Sequence, residues 1–304
     1  MTSNQFPAHN RKESSQCRRK RGPMSPELVL GTAQFETSYG VVRESIGAFD
    51  ACQILELATS LGITSLDTAP GYGNAQAIIG DCSWQGAIHT KIAGDQNVHH
   101  SLTDSLLDLR RHRVEVAYFH DPNVLQRDES FFEQTHRTIV PELTEHLGVS
   151  VYTSDEFDTA LGNSFIDVIQ APINVVDRRI TDEQLEQAVL TGKLVFARSI
   201  FLQGTLLRDS SSLPDFLSTL APTIDRLDAI SSDTGVNRME IMMQSVLVRP
   251  GISGVVVGAE APAQLVDIAA AFKASPLPEA ARSVVESLRV DDVGILDPRI
   301  WPKK

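Results

Sequence analysis

The chain has 304 residues, 42% of them hydrophobic, and a formal charge of -12 from 27 basic and 39 acidic side chains. So acidic a chain excludes a broad nucleic-acid-binding face, because such faces bind by neutralising phosphates. No apolar run reaches the roughly 18 to 20 residues that a membrane span requires.

The first 26 residues are polar and then basic, with no apolar core of a secretory leader. Six Lys or Arg stand against one Glu between residues 11 and 21. This stretch reads as a disordered, solvated basic extension, and residues 27–304 as one folded domain. From Glu27 onward, short β-type runs alternate with amphipathic stretches. The strand candidates are "LVLGT" (28–32), "ITSLDT" (63–68), "AIHTK" (87–91), "VEVAYFH" (114–120), "LGVSVY" (147–152), "FIDVIQ" (165–170), "KLVFARS" (193–199) and "GVVVG" (254–258). Helices are expected in "DACQILELATSLG" from Asp50, "NVHHSLTDSLLDLRR", "TDEQLEQAVLTGK" and "APAQLVDIAAAFK". Thr181 and Gln184 have capping-box spacing. The interval from Phe201 to Gly251 opens polar and turns helical, as an insertion at a strand end would.

Continuous Val/Ile/Leu strands separated by helices indicate a parallel sheet buried on both faces. Eight strand–helix units favour a closed α/β (β/α)8 TIM barrel over an open doubly wound sheet, and no GxGxxG follows the first strand. The three cysteines (Cys17, Cys52, Cys82) are odd in number and form no CxxC pair. They predict neither a disulfide framework nor a zinc site, and point to a reducing cytoplasm.

Barrel sites lie at the C-terminal ends of the strands, a rule that sorts the polar residues. Asp67 ends the second strand and Tyr72 follows in its loop. Lys91 ends the third, His120 the fourth and Gln170 the sixth; Arg198 and Ser199 end the seventh. A tyrosine hydroxyl titrates near 10, so it is a weak acid at neutral pH. A neighbouring ammonium lowers that value. Lys91 can supply the charge, Asp67 can hold Lys91, and His120 can hydrogen-bond at the same oxygen as Tyr72. Together they form a proton donor aimed at an oxygen that becomes negative, as carbonyl reduction needs. None of the four can give a hydride, so a nicotinamide cofactor is implied.

The ordered motifs "LGTAQF", "GITSLDTAPGYG", "HTK", "VAYFHDP", "GVSVYTSDE", "VIQAPINVVDRR", "ARSIFLQG" and "GVVVGAEAPAQL" resemble the aldo-keto reductase superfamily, in the style of bacterial members associated with sugar and surface-polysaccharide metabolism. The resemblance implies NADPH-dependent reduction of aldehydes and ketones by an Asp–Tyr–Lys–His tetrad, here Asp67, Tyr72, Lys91 and His120. It also implies cofactor contacts at Gly31, Thr32 and Ala33, at Ser150, at Gln170, and at Arg198, Ser199, Phe201, Leu202, Gln203 and Gly204. Gly258, Glu260 and Gln264 would complete the set after the eighth strand. Arg198 stands where many members place an aromatic ring against the nicotinamide, and its charge there would disfavour the oxidised ring.

The chain departs from the pattern in places. Ala75 and Gln76 replace a serine and a glutamate after the tyrosine, and Glu36 replaces a glycine. Glu260, Gln264 and Ile268 occupy positions where basic side chains and an Asn usually hold the NADP(H) 2′-phosphate. An acidic side chain repels a phosphate but accepts hydrogen bonds from a free ribose 2′-OH, so NAD(H) is a live alternative. Backbone N–H groups at the helix start could instead carry the phosphate. In "INVVDRR", Asp177 reads as the salt-bridge partner of a neighbouring arginine rather than a ligand. The partner expected is a small carbonyl compound, with no nucleic acid and no membrane. The rival readings are a cofactor-binding regulatory subunit on the same barrel, and a lyase or epimerase reusing Tyr72 and Lys91.

Overall fold

The computed structural model describes residues 25–35, 48–94 and 97–302; the basic extension up to Met24 and Glu36 lie outside the described residues. The strands are β1 (Glu27–Gly31), β2 (Ser65–Asp67), β3 (Ala87–Ile92), β4 (Val114–Phe119), β5 (Thr144–Ser150), β6 (Val168–Pro172), β7 (Leu194–Arg198) and β8 (Ile252–Gly258). Each runs parallel to the next, and β8 closes on β1 with Gly258 opposite Gly31. The helices are α1 (Ala48–Ser60), α2 (Ala75–Asp81), α3 (Val98–Asp108), α4 (Glu129–Ile139), α5 (Ser154–Gly162), α6 (Asp182–Leu190), α7 (Ala221–Thr234), α8 (Arg238–Leu247), α9 (Pro262–Lys273), α10 (Glu279–Glu286) and α11 (Val293–Leu296). This is the (β/α)8 barrel expected from the alternation. Among the described residues no helix is long and apolar enough to cross a membrane.

Several boundaries differ from expectation, β5 and β6 by the most. β6 begins at Val168, because Asn163 caps the Phe165 N–H and turns the chain before pairing starts. The apolar Phe165 and Ile166 pack beneath the core from this turn. β5 begins at Thr144, earlier than its apolar run, because Thr144 pairs with Val114. The long interval after β7 folds into three short 3-10 turns followed by α7 and α8. The capping box at Thr181 and Gln184 forms, and a second one joins Thr153 and Glu156.

The period-two alternation of the strands separates two cores. Outward residues such as Leu30, Leu66, Ile88, Phe119, Val149 and Ile169 join the helices in one large apolar cluster. Inward residues Val29, Val116, Tyr118, Val168 and Phe196 fill the barrel. Two glycines make room for the two large rings. A Cβ at Gly148 would lie 2.5 Å from the Tyr118 ring, and one at Gly254 would lie 2.8 Å from Phe196. The same inward parity puts Gly31, Asp67, Lys91, Ser150, Gln170, Arg198 and Gly258 at the C-terminal ends of their strands.

Cys52 of α1 and Cys82, just past α2, form a disulfide, contrary to the expectation from cysteine spacing. The two are 30 residues apart in sequence and meet only because α1 and α2 pack side by side. A spacing rule for local motifs cannot see such a pair, and the bond removes the ground for inferring a reducing compartment. In denaturant, the intact protein should present one thiol to a thiol reagent, and three after reduction. Three before reduction would refute the bond.

His89 is enclosed in the barrel, edge-on to Phe196 and Tyr118, and its Nδ1 has no partner among the described residues. Burial pushes its pKa down from 6.5 to about 4. Between those values the unfolded chain binds a proton that the folded chain does not, so stability present above pH 6.5 falls as the pH drops towards 4. The loss amounts to about 3 kcal/mol. Denaturant melts at pH 7 and pH 4.5 should therefore show a smaller acid loss for His89→Gln than for wild type. Equal losses would show that His89 does not drive it.

Candidate active site

Asp67 is the last residue of β2, and its backbone carbonyl accepts from both the N–H (3.0 Å) and the Oγ1 (3.1 Å) of Thr32. Its side chain turns into the barrel. There Oδ2 accepts from Lys91 Nζ at 2.6 Å and from Gln170 Nε2 at 2.8 Å. The Lys91 and Asp67 side chains are only 2% and 5% exposed, so neither charge is stable there without the other. Burial pushes the Lys91 pKa down, and the Asp67 carboxylate opposes that shift.

Tyr72 follows from a turn in which its N–H donates to the Ala69 carbonyl at 3.1 Å. It is half-buried and lines a cleft together with Asp67 and Gln170. Ala75 and Gln76 are packing residues in this fold. Both are buried, and Gln76 Nε2 donates to Thr90 Oγ1 at 2.7 Å, tying α2 to β3. His120, one residue beyond β4, is exposed at the barrel mouth. Desolvation by its neighbours, then the Lys91 charge, hold its pKa below the usual histidine value. It is therefore neutral at pH 7 and offers a hydrogen bond rather than a charge.

The cleft has a volume of about 320 Å³ and runs from Tyr72 across the ends of β1, β7 and β8. Of the residues expected at a cofactor, Gly31, Thr32, Ala33, Gln170, Arg198, Ser199, Phe201, Gln203, Gly204, Gly258, Glu260 and Gln264 line it. Ser150 and Leu202 are not on its wall. Ser150 is buried beside Gln170 in register, and Leu202 is wholly buried in the outer core. Ile268 likewise faces the core, so its position says nothing about a phosphate. Gln264 accepts the Glu260 N–H at 2.7 Å at the start of α9.

The loop after β7 is conformationally unusual. Ser199, Leu202, Gln203 and Gly204 all have positive φ, between 47° and 79°. Only the glycine adopts this without cost, so the other three store strain in the loop that borders the cleft. Asn174 steadies the loop by donating to the Ser199 carbonyl at 3.1 Å while accepting from the Val176 and Asp177 N–H groups. Asp177 pairs with Arg179, as its sequence context suggested.

Sequence reasoning missed two polar residues and the role of a third, Asn174, which it placed beyond the sixth strand as part of a dock for a charged substrate. Gln34 and Arg208 line the cleft, Gln34 with Oε1 and Arg208 with Nε buried and unpartnered among the described residues. The third is the Asn174 brace. Arg208 sat inside "RDSSSLPD", where a charge beside serines reads as solvated loop.

Residues 27–289 match the model of the aldo/keto reductase family. The chain belongs to that family. Aldo/keto reductases are oxidoreductases of carbonyl compounds and use nicotinamide cofactors. Among solved structures, the aldo-keto reductase AKR11C1 from Bacillus halodurans, in holo form, is 20% identical with a TM-score of 0.69 over 86% of this chain and 91% of its own. The glycerol dehydrogenase AKR11B4 from Gluconobacter oxydans is 19% identical with a TM-score of 0.69 over 86% and 90%. At such identities these likenesses establish the fold alone. No curated protein matches the chain.

The aldo/keto reductase barrel depends locally on the buried pair. Asp67→Asn should cost about 3–5 kcal/mol by leaving Lys91 uncompensated, and adding Lys91→Met should recover much of it. Additive losses in a denaturant-unfolding cycle would show that the two charges are not coupled.

Proposed function

We propose that this protein reduces an aldehyde or ketone with NADPH or NADH, Tyr72 giving the proton to the carbonyl oxygen. The observation that carries this reading is the buried Lys91–Asp67 pair beneath a cleft lined by Tyr72 and Gln170. In this reading the ammonium that Asp67 holds is the counter-charge a Tyr72 phenolate needs. Neutral His120 donates a hydrogen bond to the same oxygen and orients the carbonyl.

The residues of the cleft fit a dinucleotide. When bound, the nicotinamide supplies the hydride. Gln170 donates its amide N–H to Asp67, leaving its carbonyl oxygen to accept from a carboxamide. The peptide groups of Ser199 to Gly204 and the Arg208 guanidinium suit phosphate oxygens. Glu260 suits a free ribose diol, whereas Arg208 on the same cleft offsets its charge for a phosphate. Both cofactors are accordingly expected to bind.

Fluorescence titration with NADPH and NADH tests the cofactor. Glu260→Arg should tilt preference towards NADPH by about tenfold or more. Tyr72→Phe should keep cofactor binding and lose about 10²- to 10⁴-fold in kcat on a simple aldehyde. A folded protein that binds neither cofactor would sink the proposal, and a Tyr72→Phe variant with full kcat would remove Tyr72 as the donor.

A further inference from the structure

We infer that the carbonyl substrate carries a carboxylate and that Arg198, at the end of β7, is the residue that receives it. The inference rests on the reductase reading above and adds the substrate class. Several cations at this end of the barrel are matched: Lys91 pairs with Asp67, Arg179 with Asp177, and Arg299 with Asp297. Arg208, on the same cleft, pairs with no carboxylate among the described residues, but in the proposed function it meets the phosphate oxygens of the cofactor. Arg198 is left over. Among the described residues it has no carboxylate partner; its guanidinium donates to the Val151 carbonyl at 2.9 Å and to Ser199 Oγ at 3.4 Å.

Its place is in the reaction cleft. Arg198 shares the wall with Asp67, Tyr72 and Gln170, and its charge acts on both Lys91 and His120. It is also held in advance of any ligand. The Arg198 guanidinium carbon lies 4.1 Å from the centroid of the Tyr152 ring, and that of Arg299 lies 3.3 Å from the same centroid. Two such groups cannot share one face of a ring without overlapping, so Tyr152 is clamped between them. Asp297 fixes Arg299 in turn with hydrogen bonds to both carboxylate oxygens. A stacked guanidinium presents N–H groups along its edge, the geometry that binds a carboxylate through two parallel bonds. An unmatched cation aimed into a partly desolvated cleft is costly unless an anion completes it. A neutral carbonyl compound would leave it uncompensated.

The test uses matched acids and esters that share a reducible carbonyl: phenylglyoxylate and its methyl ester, and 4-carboxybenzaldehyde and its methyl ester. The readout is the acid-to-ester ratio of kcat/KM in wild type, Arg198→Met and Arg198→Lys. Intrinsic reactivity and any general loss of activity cancel in that comparison. For at least one pair the ratio should fall by about 10- to 100-fold in Arg198→Met, mainly through KM of the acid, with part of it kept in Arg198→Lys. Unchanged ratios for both pairs, with weaker NADPH binding by the variants, would overturn the inference and make Arg198 a cofactor contact. Calorimetric titration of the acid and ester against each protein needs no turnover. A chain that bound the acid through Arg198 without reducing it would keep the anion site and lose the reductase reading. A chain that reduced both members equally would do the reverse.

Discussion

The Lys91–Asp67 ion pair inside the barrel is the constraint around which the rest is arranged. Two opposite charges at 2.6 Å and almost wholly out of water persist only when their remaining hydrogen-bonding capacity is also met. The fold meets it from four strands. β3 supplies the ammonium, β2 the carboxylate, β6 the Gln170 amide, and the residue after β1, Thr32, fixes the carboxylate's backbone. Substitution at any of these would disturb a shared network. The proposed catalytic geometry is thus part of the barrel's own closure, and Tyr72 is the member that lines the cleft from a loop.

Below that pair the barrel interior stays polar in an uncommon way. Glu27 accepts from Ser65 Oγ at 2.6 Å, and burial raises the Glu27 pKa. Tyr118 has its hydroxyl buried without a partner among the described residues, and burial raises its pKa well above the usual value. Its ring lies 5.2 Å from Lys91 Nζ, so the lysine meets an aromatic face on its inner side. The apolar rings of Tyr118 and Phe196 fill the middle because Gly148 and Gly254 yield the space. A floor of aromatic surface beneath the ion pair keeps the local dielectric low, which strengthens every charge interaction above it.

The fold was legible because it rests on alternation. Apolar runs such as "VEVAYF" specify strands buried on both faces, and strand-end parity then turns Asp67, Lys91 and Gln170 inward. What sequence could not show depends on contacts between distant segments. Cys52 and Cys82 meet only when α1 lies beside α2. Ile268 is one position among several on α9, and only packing shows that it faces the core. Ser150 has the right parity and lies level with Gln170, yet it is off the cleft wall, which alternation alone does not reveal. Arg208 carries no motif, and the motif around Asn174 says nothing of a brace; each gains its role from where the β7 loop passes.

That loop joins the two halves of the site. Ser199 has a left-handed backbone between Arg198, which shares the cleft wall with Tyr72 and Gln170, and Phe201, Gln203 and Gly204, which line the rest of it. A strained conformation survives only when its surroundings over-determine it. Here Asn174, two residues beyond β6, holds the Ser199 carbonyl, and Tyr152, two residues beyond β5, holds the Arg198 guanidinium. The Tyr152 clamp depends on Arg299 from the C-terminal segment, so a residue near the end of the chain orients one at the end of β7. In the proposed function, the dinucleotide and the substrate would therefore be read by one continuous backbone turn. Any ligand that shifted the loop at Gln203 would act on the Arg198 charge three peptide bonds from Phe201, and through it on Lys91 and His120.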